Sequence, residues 1–128
     1  MLKLFTTATL TGLLALTISP LTIHAQPRST QTSTDPTVLR DLYRAQNLAR
    51  QAAEKANGGL GNYRAERSMY GPATQSPYVE NQNGTWTFTF KGHPPYSTTP
   101  TVESVVTVDR NAWRVTVDYN GSIRSSAR

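Results

Sequence analysis

Residues 85–91, Thr85-Trp86-Thr87-Phe88-Thr89-Phe90-Lys91, alternate polar and large aromatic side chains without a break. A strand turns successive side chains to opposite faces. The run therefore predicts a half-buried antiparallel strand with Trp86, Phe88 and Phe90 in the core and the threonines in water. Just before it, Asn83-Gly84 is the strongest short hairpin signal in the chain, since tight hairpin turns need residues that tolerate positive φ. Tyr78 and Val79 fall on the strand that pairs back across it. Further on, Val102–Val108 and Trp113–Tyr119 repeat the two-residue period. With Asp109-Arg110-Asn111-Ala112 as the turn, Val108 meets Trp113 and Val106 meets Val115, and Val117 stays in the same phase. That register also sets Ser104 opposite Val117 and Glu103 opposite Asp118, a mildly unfavourable like-charge pair. Asn62–Tyr70 reads as one more strand, closed by Gly71-Pro72.

Upstream the period lengthens. Asp35 can cap free backbone N–H groups and Pro36 suits a first helical position. Val38, Leu42, Ala45, Ala49, Ala52 and Ala56 then recur every three or four residues. Alanine dominates this stripe, so the helix axis can lie close to whatever it packs on. Gly58 and Gly59 end the helix near Asn57, because glycine enters the left-handed C-cap conformation at no steric cost. One N-terminal helix followed by strands predicts an α+β fold in two layers, the helix packed on a four- or five-stranded antiparallel sheet.

The chain has 128 residues, 37% hydrophobic and 16% charged, with no cysteine and a net charge of +5. One small domain fits that length, and disulfides and thiolate metal sites are excluded. Lys3, the uncharged run Leu4–Ser19, Pro20 and the small residue Ala25 have the form of an export signal over residues 1–25. The run falls short of the roughly 20 apolar residues a membrane span requires. Residues 26–34 carry no core-forming side chain and read as a disordered leader. The expected division is then a domain over 35–121 and a basic tail over 122–128. It predicts an exported periplasmic, luminal or secreted protein with no transmembrane segment once the signal is removed.

Motifs for chemistry are sparse. His93, in Lys91-Gly92-His93-Pro94-Pro95-Tyr96, is the sole histidine after the signal. It has no second histidine, cysteine or local carboxylate pair beside it, so it reads as a loop residue rather than a metal ligand or catalytic base. No nucleophile elbow, phosphate-cradling loop or dinucleotide fingerprint is present, and no cofactor is expected. Gly58-Gly59-Leu60-Gly61 follows a helix instead of preceding one, the wrong context for phosphate. Asp109 and Asp118 each open a faint calcium-loop pattern, which fails because Arg114 stands at the sixth position of the first and the second runs out of chain. Asn83-Gly84-Thr85 and Asn120-Gly121-Ser122 match the glycosylation pattern and read equally well as turns.

Two sets of residues are candidates for binding. Tyr70, Tyr78 and Tyr96, with His93, lie beside Pro72, Pro77 and Pro94-Pro95 in the loops, where an amphipathic ring on a stiff backbone makes a good contact. Arg40 and Arg44, with Gln51 and Lys55, fall on the outward side of the helix, and Arg64 and Arg67 follow. A cationic strip of this kind suits phosphate, acidic polysaccharide or an anionic lipid surface. Nucleic acid is disfavoured because the chain carries no base-reading motif. The outer sheet face would show Thr85, Thr87, Thr89, Lys91, Thr107, Arg114 and Thr116, polar enough to stand in water.

Asn62-Tyr63-Arg64-Ala65-Glu66, the Gly84–Phe90 run, Val105-Val106-Thr107-Val108 and Val115-Thr116-Val117-Asp118-Tyr119 resemble small exported cyanobacterial proteins of unassigned function, over roughly Thr37 to Gly121. In element order the chain is also similar to cystatin-like and PepSY-like domains, and that resemblance implies inhibition or regulation of proteases. The cystatin loop Gln-x-Val-x-Gly has no counterpart here, so no site residue is carried over. The reading that follows is a non-enzymatic exported module that binds an unidentified protein through its proline- and tyrosine-bearing loops. An alternative is an envelope-associated protein held on an anionic polymer or lipid by the arginine strip. Another is a small enzyme or ligand carrier in which Glu66, Glu80, Glu103 or His93 converge in a pocket between helix and sheet. A homodimer through a sheet edge is compatible with all of them.

Overall fold

Helix α1 (Pro36–Ala56) begins where the Asp35 carboxylate accepts the Thr37 N–H at 2.8 Å, with proline in the first turn. It ends at Asn57, followed by Gly58 and Gly59 at φ +90° and +88°. The computed structural model describes residues 35–125. The expected signal, the leader and the last three residues of the basic tail lie outside them.

Five strands follow: β1 (Arg64–Ala65), β2 (Tyr78–Glu80), β3 (Thr85–His93), β4 (Val102–Asp109) and β5 (Val115–Ser122). They form one antiparallel sheet in the order β1-β3-β4-β5, with β2 also pairing β3 on the β1 side. The helix lies on one face of this open sheet, the α+β arrangement that the change of period predicts. Leu42, Ala45, Ala49 and Ala53 meet Trp86, Phe88, Phe90, Val106 and Val108, all buried. Tyr63 lies across the sheet where β3 carries Gly92: a Cβ there would fall 2.1 Å from the ring. The outer face carries Thr87 hydrogen-bonded to Thr107 at 3.0 Å, and Thr107 donates onward to Asp118. No helix among the described residues is long and apolar enough to cross a membrane.

Three expectations need correction. Asn62–Tyr70 contributes only the two residues of β1, because the chain then turns through a 3-10 helix at Arg67–Met69. Buried Gln46 fixes that turn, its side-chain amide donating to the Ser68 and Gly71 carbonyls at 3.1 and 3.2 Å. The β4–β5 register is shifted by two residues, Val108 meeting Val115 and Val106 meeting Val117. An even shift leaves every side chain on its face, so the valines keep the expected phase while Trp113 leaves the strand. The third difference is a bulge between Val105 and Val106, across which Val105 pairs with Tyr119 and Ser104 with Asn120. The odd residue hands the inner face from Tyr119 to Asn120. The two-residue shift already separates the like charges, and with the bulge Glu103 stands opposite Gly121.

The chain stays attached past Gly121. Ser122 closes β5, and the Arg124 guanidinium donates to Glu103 at 2.6 and 2.9 Å while stacking 3.8 Å from the Tyr119 ring centroid. These donors hold the Glu103 carboxyl below its ordinary range, the Arg124 side chain being the largest cause.

Candidate anion-binding cleft

The hairpin tips of the sheet meet beside the N-terminal half of α1. Asp109 organises the β4–β5 tip by accepting the Asn111 and Ala112 N–H groups on one carboxylate oxygen, at 2.8 and 3.3 Å. Asp109 N–H donates across to the Arg114 carbonyl, so the loop proper runs from Arg110 to Trp113. The β2–β3 tip supports it: the Gly84 carbonyl accepts the Arg110 N–H at 3.1 Å. Gly84 has φ +77°, and a Cβ there would press to 3.0 Å on the Asn111 amide.

Trp113 closes the loop at φ +53°, a left-handed conformation that costs a bulky residue roughly 1–2 kcal/mol. Its indole lies against the helix. There the Arg44 guanidinium lies 3.9 Å from the ring centroid. Arg110 reaches the same region from the other side, its Nε donating to Asp41 at 3.0 Å and its guanidinium 5.6 Å from the Trp86 ring. Arg40, mostly exposed, sits 3.8 Å from the same aspartate. Together Arg40, Asp41, Arg44, Arg110, Asn111 and Trp113 line an open cleft of about 630 Å³.

Three guanidinium groups against one carboxylate leave this cleft two positive charges in excess. Asp41 is already committed to Arg110, and Arg44 has no carboxylate partner among the described residues. A guanidinium laid on an aromatic ring is oriented by it while its N–H edge remains open, the geometry for bidentate recognition of a carboxylate, sulfate or phosphate.

Of the residues singled out in the sequence, the structure brings Arg40 and Arg44 together and joins to them Arg110 and Trp113, which the sequence pattern places in a turn and at the start of the strand after it. The tyrosine set is dispersed. Tyr78 is half-buried on β2 with its ring 6.1 Å from that of Phe88, and burial raises its hydroxyl above the ordinary value, Glu80 adding to it. Tyr70 lies under the Arg50 guanidinium at 4.8 Å, on the flank of the helix. Tyr96 is 91% exposed in the β3–β4 connection, at the end of β3 remote from the cleft. His93 pairs with Arg64 across β1 and β3, its Nδ1 2.8 Å from the Pro94 carbonyl.

The carboxylates weighed as acid–base groups do not converge. Glu66 accepts the Lys91 N–H at 2.8 Å, Glu103 is held by Arg124, and Glu80 is exposed on β2. Among the described residues no three His, Asp or Glu side chains are grouped to hold a metal ion.

Comparison of the chain with models of known families, with curated proteins and with solved structures returned no match. The likeness to cystatin-like and PepSY-like domains therefore rests on the order of helix and strands alone.

Proposed function

We propose that this is an exported binding domain that holds an acidic polysaccharide of the cell envelope through the Arg40, Arg44, Arg110 and Trp113 cleft. The observation that carries this reading is Arg44, stacked on Trp113 and without a carboxylate partner among the described residues, in a cleft of net positive charge. A concave site suits a charged group that projects from a chain, such as a sulfate, a carboxylate or a phosphodiester, better than the plane of a bilayer. The tyrosine loops support a partner-binding surface less well, since Tyr70, Tyr78 and Tyr96 lie on separate parts of the molecule.

The test is retention on a sulfated polysaccharide matrix under a salt gradient. Arg40→Glu with Arg44→Glu should elute at markedly lower salt than Arg64→Glu with Arg67→Glu, a pair with the same change in net charge away from the cleft. Equal shifts for the two variants would reduce the interaction to overall charge and remove the cleft. Anionic vesicles as a second matrix separate the alternative: retention there but not on polysaccharide would place the domain on lipid instead.

A further inference from the structure

We propose that the domain self-associates as a two-fold dimer through the outer edge of β5, with Thr116 on the axis and Arg114 of each copy facing Asp118 of the other. β5 pairs with β4 on one side, and no described residue pairs with it on the other. The opposite side of the sheet has no comparable edge, since β1 and β2 hold two and three residues and are separated by 3-10 turns.

Hydrogen-bond direction along β5 fixes which groups are open. Asp109 N–H donates to the Arg114 carbonyl at 2.8 Å, so Arg114 directs its backbone at β4. In an antiparallel ladder this direction alternates. Thr116 therefore also turns toward β4, whereas Val115 and Val117 present N–H and C=O outward. A second copy related by a two-fold axis through Thr116 sets Val115 opposite Val117, and those two residues exchange both bonds on each side of the axis. No other centre within Arg114–Asp118 satisfies open backbone groups on both strands while matching the side chains.

The side chains match in the same register. On the outer face Arg114 and Asp118 carry opposite charge and become neighbours across the new ladder twice, with Thr116 beside Thr116 between them. Arg114 has no ion pair among the described residues. On the inner face Val117, which the helix leaves 41% exposed, comes to lie against Val115 of the second copy. Edge strands are commonly guarded by charge, and here the two guarding charges are complementary to their own two-fold image. The bulge falls at Asp118, the last residue of the segment, and leaves Val115–Val117, which carry the backbone bonds, in regular register.

A pairing of five residues is a small interface, below the size of stable dimers, so association should appear at micromolar or higher concentration. Sedimentation equilibrium of the purified protein from about 10 µM to 1 mM should show a monomer–dimer equilibrium. Arg114→Asp alone should weaken it at least tenfold, and Arg114→Asp with Asp118→Arg should restore it. Val117→Pro, which removes an outward N–H that β4 does not use, should abolish the dimer with little change in the thermal melt. A protein that stays monomeric throughout, or a double variant no better than the single ones, would overturn the proposal. Protection of the Val115 and Val117 amides from exchange in a monomer would also overturn it and would assign the edge to another segment of the same chain.

Discussion

The two halves of helix α1 meet the sheet differently. Along the C-terminal half the contact is closed. Ala49 and Ala53 are fully buried, and Asn57 and Asn120 exchange side-chain amide bonds at 2.9 and 3.0 Å. The Asn120 carbonyl also takes the Ser104 hydroxyl at 2.8 Å. Along the N-terminal half the contact opens, and Arg44 stands over a strained tryptophan with Arg40 beside it on the wall of the cleft, both exposed. In the closed half Asn57, Asn120 and Ser104 are paired with one another, while the Tyr63 hydroxyl is buried without a partner among the described residues. An excess of guanidinium at the open half is not explained by packing, and this contrast is what points to a ligand there.

The sharpest way to test the contrast is to disturb the closed half. Gly92→Ala should be the most damaging small change, because the new methyl group has nowhere to go beneath Tyr63. Overpacking of this severity costs about 3 kcal/mol, and denaturant unfolding measures it. A loss below about 1 kcal/mol would mean that the Tyr63 ring is free to move. Asn57→Ala should cost about 2 kcal/mol, since it strands the Asn120 amide and removes the side-chain bond to the Ala53 carbonyl, which keeps only the backbone N–H of residue 57.

Alkaline pH probes the same region through Tyr63, which is 1% exposed and whose hydroxyl is pushed up to about 12, chiefly by burial. The folded state keeps the proton to higher pH than the unfolded chain, whose tyrosine titrates near 10. The Tyr63 contribution is therefore fully present below pH 10 and is lost as pH rises toward 12. Tyr63→Phe should flatten that part of the stability profile.

The smallest effect on stability belongs to the open half. Arg44→Ala removes one partly exposed cation–π contact and should cost less than about 1 kcal/mol. Its effect on retention by a sulfated matrix should nevertheless be clear. If Arg44→Ala destabilised the fold as much as Asn57→Ala, the two halves would not differ in kind.

The sequence was legible wherever a short stretch decides its own conformation. Asp35-Pro36 and Gly58-Gly59 mark the helix ends through capping and left-handed backbone, and Asn83-Gly84 marks its hairpin for the same reason. Legibility stopped where the choice depends on residues far along the chain. Nothing within Asn62–Tyr70 announces that Gln46 will hold Ser68 and Gly71 in a turn. Asp109 did carry a signal, since an aspartate that accepts two following N–H groups starts a turn at its own position. That favours a loop from Arg110 to Trp113 over one ending at Ala112.

By itself the sequence determined the helix, the phase of the strands and the aromatic core, because capping, backbone sterics and alternating burial act within a few residues. Tertiary structure decided the register of β5, the bulge that gives Asn120 to the helix, and the meeting of Arg44 with Trp113 and Arg110. A strand can slide by two residues and bury the same faces. The choice between such registers is therefore made by long-range contacts, here Asn57 with Asn120 and Arg110 with Asp41, which no local pattern records.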